Sequence, residues 1–510
     1  HVNGLRFQIS PDSKTVAFVA DKDTDDVEEL YAVPLAGGTP VKLNPPLVAG
    51  GDVNALRFAF TPDSQQVVYL ADQEVDNRVD MFRVPVAGGA AVKINPSLVA
   101  GGNVDFFKID SKSQRIVYQA DQQSNDVTDL WSIPLAGGAS LRLNGSLVAG
   151  GDVGLFDLDP LSNRVVYSAD QETDGTYELY SVPVAGGAVA KLNPPITLGG
   201  GGDAGIFSSW FINPIVPVVV FQARESGATT KNLWMTPTAG GVAPLKLNFA
   251  LSANQHMVNF RISPTGDRVI YSVGTRSGTF FPSKGDLYSV LIGGGSSTLL
   301  TEVADPLHGA DNFSFTADGK RVVYSFQKNA AALVRLESAT VVNPVRVTLF
   351  APAASDSPLS YFRLSRDSQW VVVQDQANGL FSVPPGGGNL VRHGQAYHKQ
   401  IMSDSSRLLY ARITDADKHT ELMSAQIFGG DERDLSGMQS KGYVLDAELS
   451  PDGTQIVYGV QLDGRYELRV SDGRVAQPPT TATPTVPPGV TPSPPPVPNT
   501  HSVYLPLTVR

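Results

Sequence analysis

"DKDTDDVEELYAVPLAGGTPVKLN", residues 21–44, has close relatives that begin at residues 72, 121 and 170. Each copy runs in the same order through an acid-studded loop, a short apolar run, an Ala-Gly-Gly turn and an ending such as Lys-Leu-Asn. Upstream of the acidic loop, "LRFQIS" ends at the turn signal "PDS" and is followed by "TVAFVA". Downstream, "ELYAVPL" stops at "AGG", and "PVKLN" closes the unit. Four short β-branched and aromatic runs separated by turn residues predict a four-stranded antiparallel meander, with no room for an amphipathic helix.

The unit recurs along the chain. Phe7, Phe58, Phe107, Phe156, Phe211, Phe260, Phe313 and Phe362 are expected at equivalent positions, 49 to 55 residues apart, and two shorter units start near Ile401 and Ala447. One such sheet is too small to be stable alone; stacking sheets around an axis buries both faces of each. The expected fold is therefore all-β: a β-propeller of about ten four-stranded antiparallel blades over residues 1–476, as one large ring or two rings. A solenoid would have shorter coils, and sandwiches would not repeat their turns in register. The last unit is expected to end with its own fourth strand near Arg474.

The 510 residues are 42% apolar, ample for a large core. A formal charge of -11 argues against a nucleic-acid partner and favours cations. Apolar stretches such as residues 216–221 are too short to cross a bilayer. Without cysteine there is no disulfide, thiolate metal site or Cys nucleophile. The chain opens at His1, with the expectation that a signal peptide has been removed.

The stretches "ISPDSKTVAFVADKDTDDVEELYAVPLAGGTPVKLN" (9–44) and "LSPDGTQIVYGVQLDGRYELRVSDG" (449–473) resemble the WD40-like (PD40) repeat of TolB-type propellers. The resemblance spans residues 1–476 and implies the propeller fold. It leaves function open, because such propellers serve as interaction platforms, enzyme lids and extracytoplasmic domains. Units five and eight ("FINPIVPVVVF", "FRLSRDSQWVVV") depart from the turn.

In a four-stranded meander the loops after strands two and four share a face, so the acidic loops and the "NPPLVAGGDV" connectors lie together. Oxygen-bearing residues recur there at loop positions one, three, five and nine: Asp21, Asp23, Asp25, Glu29; Asp72, Glu74, Asp76, Asp80; Asp121, Gln123, Asn125, Asp129; Asp170, Glu172, Asp174, Glu178. Two readings fit. Such oxygens can converge on a hard cation, in a spacing that resembles the calcium loops of integrin-type propeller repeats, or they can serve tight turns by accepting backbone N–H groups.

The sequence contains no nucleophile elbow, zincin helix or phosphate loop, so no catalytic residue is assigned and a non-enzymatic role is expected. His393 and His398 form the one close histidine pair, Tyr31, Phe82, Trp131 and Tyr180 are expected between blades, and Trp210 and Trp370 are candidate exposed anchors. Residues 477–500 are dense in Pro and Thr and read as a semi-stiff linker or stalk. Residues 501–510 resemble the tails of bacterial secreted and surface proteins, with Tyr504, Leu505, Pro506 and Leu507 as the matching residues, which implies export and attachment at the envelope. The expectation is a secreted or cell-surface binding or scaffold module for a protein, peptide or glycan. The alternative is the propeller part of a prolyl-oligopeptidase-like hydrolase or a lyase.

Overall fold

The computed structural model describes residues 6–110, 114–195, 206, 209–224, 230–275, 284–352, 359–377, 379–402, 404–414, 419–436, 442–462, 465–472 and 503–505. Every element among them is a strand. Blade one consists of Arg6–Ile9, Thr15–Ala20, Glu29–Pro34 and Val41–Lys42, paired antiparallel in chain order. Phe7 faces Phe18, which faces Tyr31 across the sheet, and the last two rings stack at 5.5 Å. Tyr69–Phe82 and Tyr167–Tyr180 repeat the stack in blades two and four. Tyr31, Phe82, Trp131 and Tyr180 are all buried between blades.

Blades two to seven keep this order. Blades eight and nine are fused into one seven-stranded sheet, because Val391–Ile401 runs unbroken from the fourth position of one to the first position of the other. Blade nine therefore starts inside that strand, and blade ten starts at Gly442. In blade five it is Trp210, not Phe211, that occupies the register position of Phe7, since Trp210 faces Phe221. Trp210 is buried and Phe211 exposed, so Trp210 is no surface anchor; Trp370 is half-buried against the core of blades eight and nine.

One apolar cluster lies at each junction between successive blades, and the cluster of Ile9, Val16 and Phe18 takes in Val457, Leu468 and Val470 of blade ten. The ten blades thus form one closed ring. A backbone latch on the turn face says the same. Asp12 N donates to Ser64 Oγ of the next blade (3.0 Å), Asp367 N to Ser405 Oγ (3.0 Å), and Asp452 N of blade ten to Ser13 Oγ of blade one (2.9 Å).

First strands of neighbouring blades touch, as in the Gln8 Nε2 to Phe58 O bond (2.8 Å) and the Phe106–Phe156 contact, which places them around the axis with the fourth strands at the rim. The fourth strand of blade ten is not near Arg474. It is Val503–Leu505, paired with Arg465–Asp472. No helix among the described residues is long and apolar enough to cross a membrane.

Candidate functional site

The acidic loops fold onto the connectors. At position one, Asp72 accepts Asp52 N (2.6 Å) and Asn77 N (3.0 Å), and Asp170 accepts Asp152 N (2.5 Å) and Gly175 N (2.8 Å). Asp121 does the same with Asn103 N and Asp126 N. The residue heading each blade continues the relay backwards: Asp52 accepts Glu28 N (2.7 Å), Asn103 accepts Val79 N (2.8 Å), and Asp152 accepts Thr128 N (2.7 Å), all from the preceding blade. In blade one the buried Asp21 Oδ1 has no hydrogen-bond partner among the described residues.

Position five sits over the connector glycines. A Cβ added at Gly50 would meet Asp76, at Gly101 Asn125, and at Gly150 Asp174. The next glycine meets backbone instead: a Cβ on Gly102 would lie 2.5 Å from the Asp121 carbonyl oxygen. Asp25, the position-five residue of blade one, is exposed.

Position nine is buried and committed to its own blade. Asp80 is paired with Lys93 Nζ (2.7 Å) and Arg78 (3.2 Å) and accepts Asn95 Nδ2 (2.8 Å). Glu178 pairs with Lys191 (2.7 Å) and Tyr180 OH (3.0 Å), Asp129 with Asn144 (2.8 Å) and Arg142, and Glu29 with Lys42 and Tyr31 OH. The position-three acids lean on the same cations, Glu74 on Lys93 (3.2 Å), Glu172 on Lys191 (2.8 Å) and Asp23 on Lys42 (3.9 Å), and Asp23 also pairs with Lys22 (2.8 Å). The Lys22 bond holds Asp23 below the usual carboxylate range, and the Lys191 bond does so for Glu172.

These oxygens do not converge. Among the described residues no three acid or histidine side chains are grouped to hold a metal ion. The reason is local: position nine has turned toward the Lys or Arg and the Asn of the unit's ending, while position one of blades two to four is engaged by backbone N–H groups. The Lys-Leu-Asn ending is therefore part of the loop's own machinery. Asn144 Oδ1 accepts Leu130 N (2.8 Å) while its Nδ2 reaches Asp129, and Asn95 repeats this with Met81 N and Asp80. The signal for Asn44, Asn95, Asn144 and Asn193 was present in the recurrence of that ending, which falls at fixed distance from the position-nine acid.

Nearer the axis on the same face, blades one to three form a trough lined by Glu28, Asp52, Asn54, Leu56, Asn103 and Asp105. Burial and then Asp52 push the Glu28 carboxyl up. Asp105 is exposed at the channel wall, yet surrounding protein costs it solvation, and Asp121 and Asp152 raise it further against the opposing charge of Arg57. Asp152 in turn is raised by burial and by Asp170 and Asp174. Arg57 lies 4.8 Å from the centre of the Phe106 ring, which fixes its position on the wall.

His393 turns inward. Its Nε2 is 2.8 Å from Ser382 Oγ, and that hydroxyl donates to Ile427 O of the next blade, so Nε2 carries the proton. Burial lowers its pKa. The His398 side chain lies outside the described residues. Tyr504 and Leu505 are in the fourth strand of blade ten; Pro506 and Leu507, like the stalk at 477–500, lie outside the described residues.

No family model matches the chain, and no curated protein does. Among solved structures, a TolB-type protein of Agrobacterium tumefaciens shares 18% identity over 48% of this chain and 79% of its own, with a TM-score of 0.29. The tricorn protease shares 12% identity over 92% of this chain and 46% of its own, with a TM-score of 0.31. Prolyl oligopeptidase B of Galerina marginata shares 11% over 71% and 56%, with a TM-score of 0.36. The chain thus spans about half the length of the last two. At these identities the likeness concerns the fold alone.

Proposed function

We propose that the ring is a non-catalytic binding or scaffold module, secreted or displayed at the bacterial cell surface, which receives a basic segment of a protein or peptide on its connector face. The observation that supports this reading is the trough of blades one to three. Burial and neighbouring acids raise the proton affinity of Glu28 and Asp105 there, with Asp52 and Asp21 acting on Glu28 and Asp121 and Asp152 on Asp105, so the wall gains when a cation from a partner supplies countercharge. A glycan ligand would engage the same wall through Asn54 and Asn103 but would not relieve that repulsion. The extracellular address is supported by the Pro/Thr-rich segment and the composition of the tail.

The test uses a fluorescently labelled octalysine peptide and an uncharged octamer of Ser and Gly. Saturable binding of octalysine alone is expected, weakened at least fivefold by Glu28→Gln with Asp105→Asn, and weakened again between 50 and 500 mM salt, as roughly expected from screening. Equal binding by the double variant would remove the trough from the proposal.

A further inference from the structure

The junction between blades six and seven departs from its counterparts. In blades one to four a backbone bond joins each blade to the next: Val53 N to Glu28 O (2.9 Å), Val104 N to Val79 O (2.9 Å) and Val153 N to Thr128 O (2.8 Å). Asp52, Asn103 and Asp152 return a side-chain oxygen to the N–H of the same acceptor residue. At the later junction Ala310 N bonds Gly285 O (2.8 Å) and Gly285 N bonds Ala310 O (3.0 Å). Gly285 thus stands where Glu28, Val79 and Thr128 stand, and Gly309 where Asp52, Asn103 and Asp152 stand. Both positions require glycine. A Cβ on Gly285 would lie 2.5 Å from the Val273 backbone, and one on Gly309, at φ 129°, would lie 2.7 Å from the Gly285 backbone.

Beside that bare backbone a cavity of about 120 Å³ opens between the first strands of blades seven and eight, Gly309–Phe315 and Leu359–Leu364. Phe326 and Phe362 give it an apolar side. Lys284 Nζ donates to Gln327 Oε1 (3.0 Å) and Gln327 Nε2 donates to Ala332 O (3.0 Å), so the amide is oriented and the amine is held at the wall. Asp311 and Asn312 are exposed there, in the bulge that shifts the register between Ala310 and Phe313. Tyr361 is 37% exposed, and Arg363 lies 5.9 Å from the centre of its ring.

We propose that this cavity binds one neutral pyranose ring. The space suits a single six-membered ring, since a cavity of roughly 150 Å³ admits benzene. The lining mixes hydrogen-bonding roles: Lys284 donates, Asp311 accepts, and Asn312 does both, which matches hydroxyls that each donate and accept. Lys284 and Asp311 offset one another in charge, so this lining, unlike the trough of blades one to three, has no excess charge with which to select an ion. Tyr361 adds an aromatic ring beside the polar groups, against which the C–H side of a sugar packs. The cavity and the trough stand on different blades, and the inference does not depend on the trough.

The test titrates the full chain calorimetrically with methyl β-glucopyranoside, methyl β-galactopyranoside and methyl α-mannopyranoside at millimolar concentrations, and with glucuronate as the charged counterpart. Saturable binding of at least one glycoside is expected, weakened at least fivefold by Tyr361→Ala and by Asp311→Ala, and not displaced by octalysine. Asp311 is exposed, so Ala there removes an acceptor without emptying the core, and a loss of binding reports the site rather than the fold. Failure of all three glycosides to bind, full binding by either variant, tighter binding of glucuronate, or displacement by octalysine would each overturn the assignment.

Discussion

Asn144 shows how one side chain can hold a blade together. Its Oδ1 satisfies the buried Leu130 N and its Nδ2 neutralises part of the demand of Asp129, so Asn144→Ala strands two polar groups at once. A loss of about 1–3 kcal/mol is expected, read as a lower urea midpoint, whereas Asn125→Ala, at an exposed loop position, should stay within about 0.5 kcal/mol. The trough carboxylates act in the opposite sense. Their folded pKa values are raised, so they oppose folding above those values and cease to do so below about pH 4, where both states are protonated. Glu28→Gln with Asp105→Asn should therefore raise the thermal midpoint at pH 7 and raise it much less at pH 4. His393 has a lowered folded pKa, so its contribution is present above about pH 6.5 and is lost as pH falls. Its neighbours are Ser382, the Ile427 carbonyl, the Tyr410 ring and Glu432. His393→Gln should flatten the stability profile between pH 7 and pH 5.

At the level of the element, the connector and the acidic loop are one structure written in two places. Gly102 carries no side chain because the Asp121 carbonyl occupies the space, at 2.5 Å from where a Cβ would stand. Gly102→Ala must move backbone and should cost about 1–3 kcal/mol, while Gly293→Ala, which meets nothing within 4 Å, should be nearly silent in the same denaturation experiment. The four strands, their order and the aromatic positions between blades were legible from period-two patterning and turn residues. The role of the acids was not. Spacing places oxygens on one loop, but which way each points depends on the Lys and Asn of a strand more than ten residues further on. Because those partners already use the oxygens, millimolar calcium and chelator should give the same thermal midpoint within about 1 °C; a clear rise with calcium would reverse this account.

For the whole molecule, the decisive contact is between the first blade and the last. Leu468 is fully buried against Val16, Phe18 and their neighbours of blade one. In a closed ring Leu468→Ala should cost about 2–5 kcal/mol, as much as Leu130→Ala at an interior junction; in an open array it would cost far less. Ring closure also gives the first strands a continuous wall, on which residues of successive blades meet, Arg57 with Asp105 and Lys108 with Asp157.

The sequence by itself determined the repeat, the four-stranded blade, the all-β class and the face that carries the acidic loops, because these follow from local periodicity and turn chemistry. It also placed Tyr31, Phe82, Trp131 and Tyr180 between blades. Only the tertiary structure decided that ten blades make one ring, that Trp210 replaces Phe211 in register, that two blades share the strand Val391–Ile401, and that Val503–Leu505 completes the tenth blade. Each of these depends on which residues meet across long separations in the chain. A repeating pattern states what every blade wants to bury, but not where the last blade finds its partner.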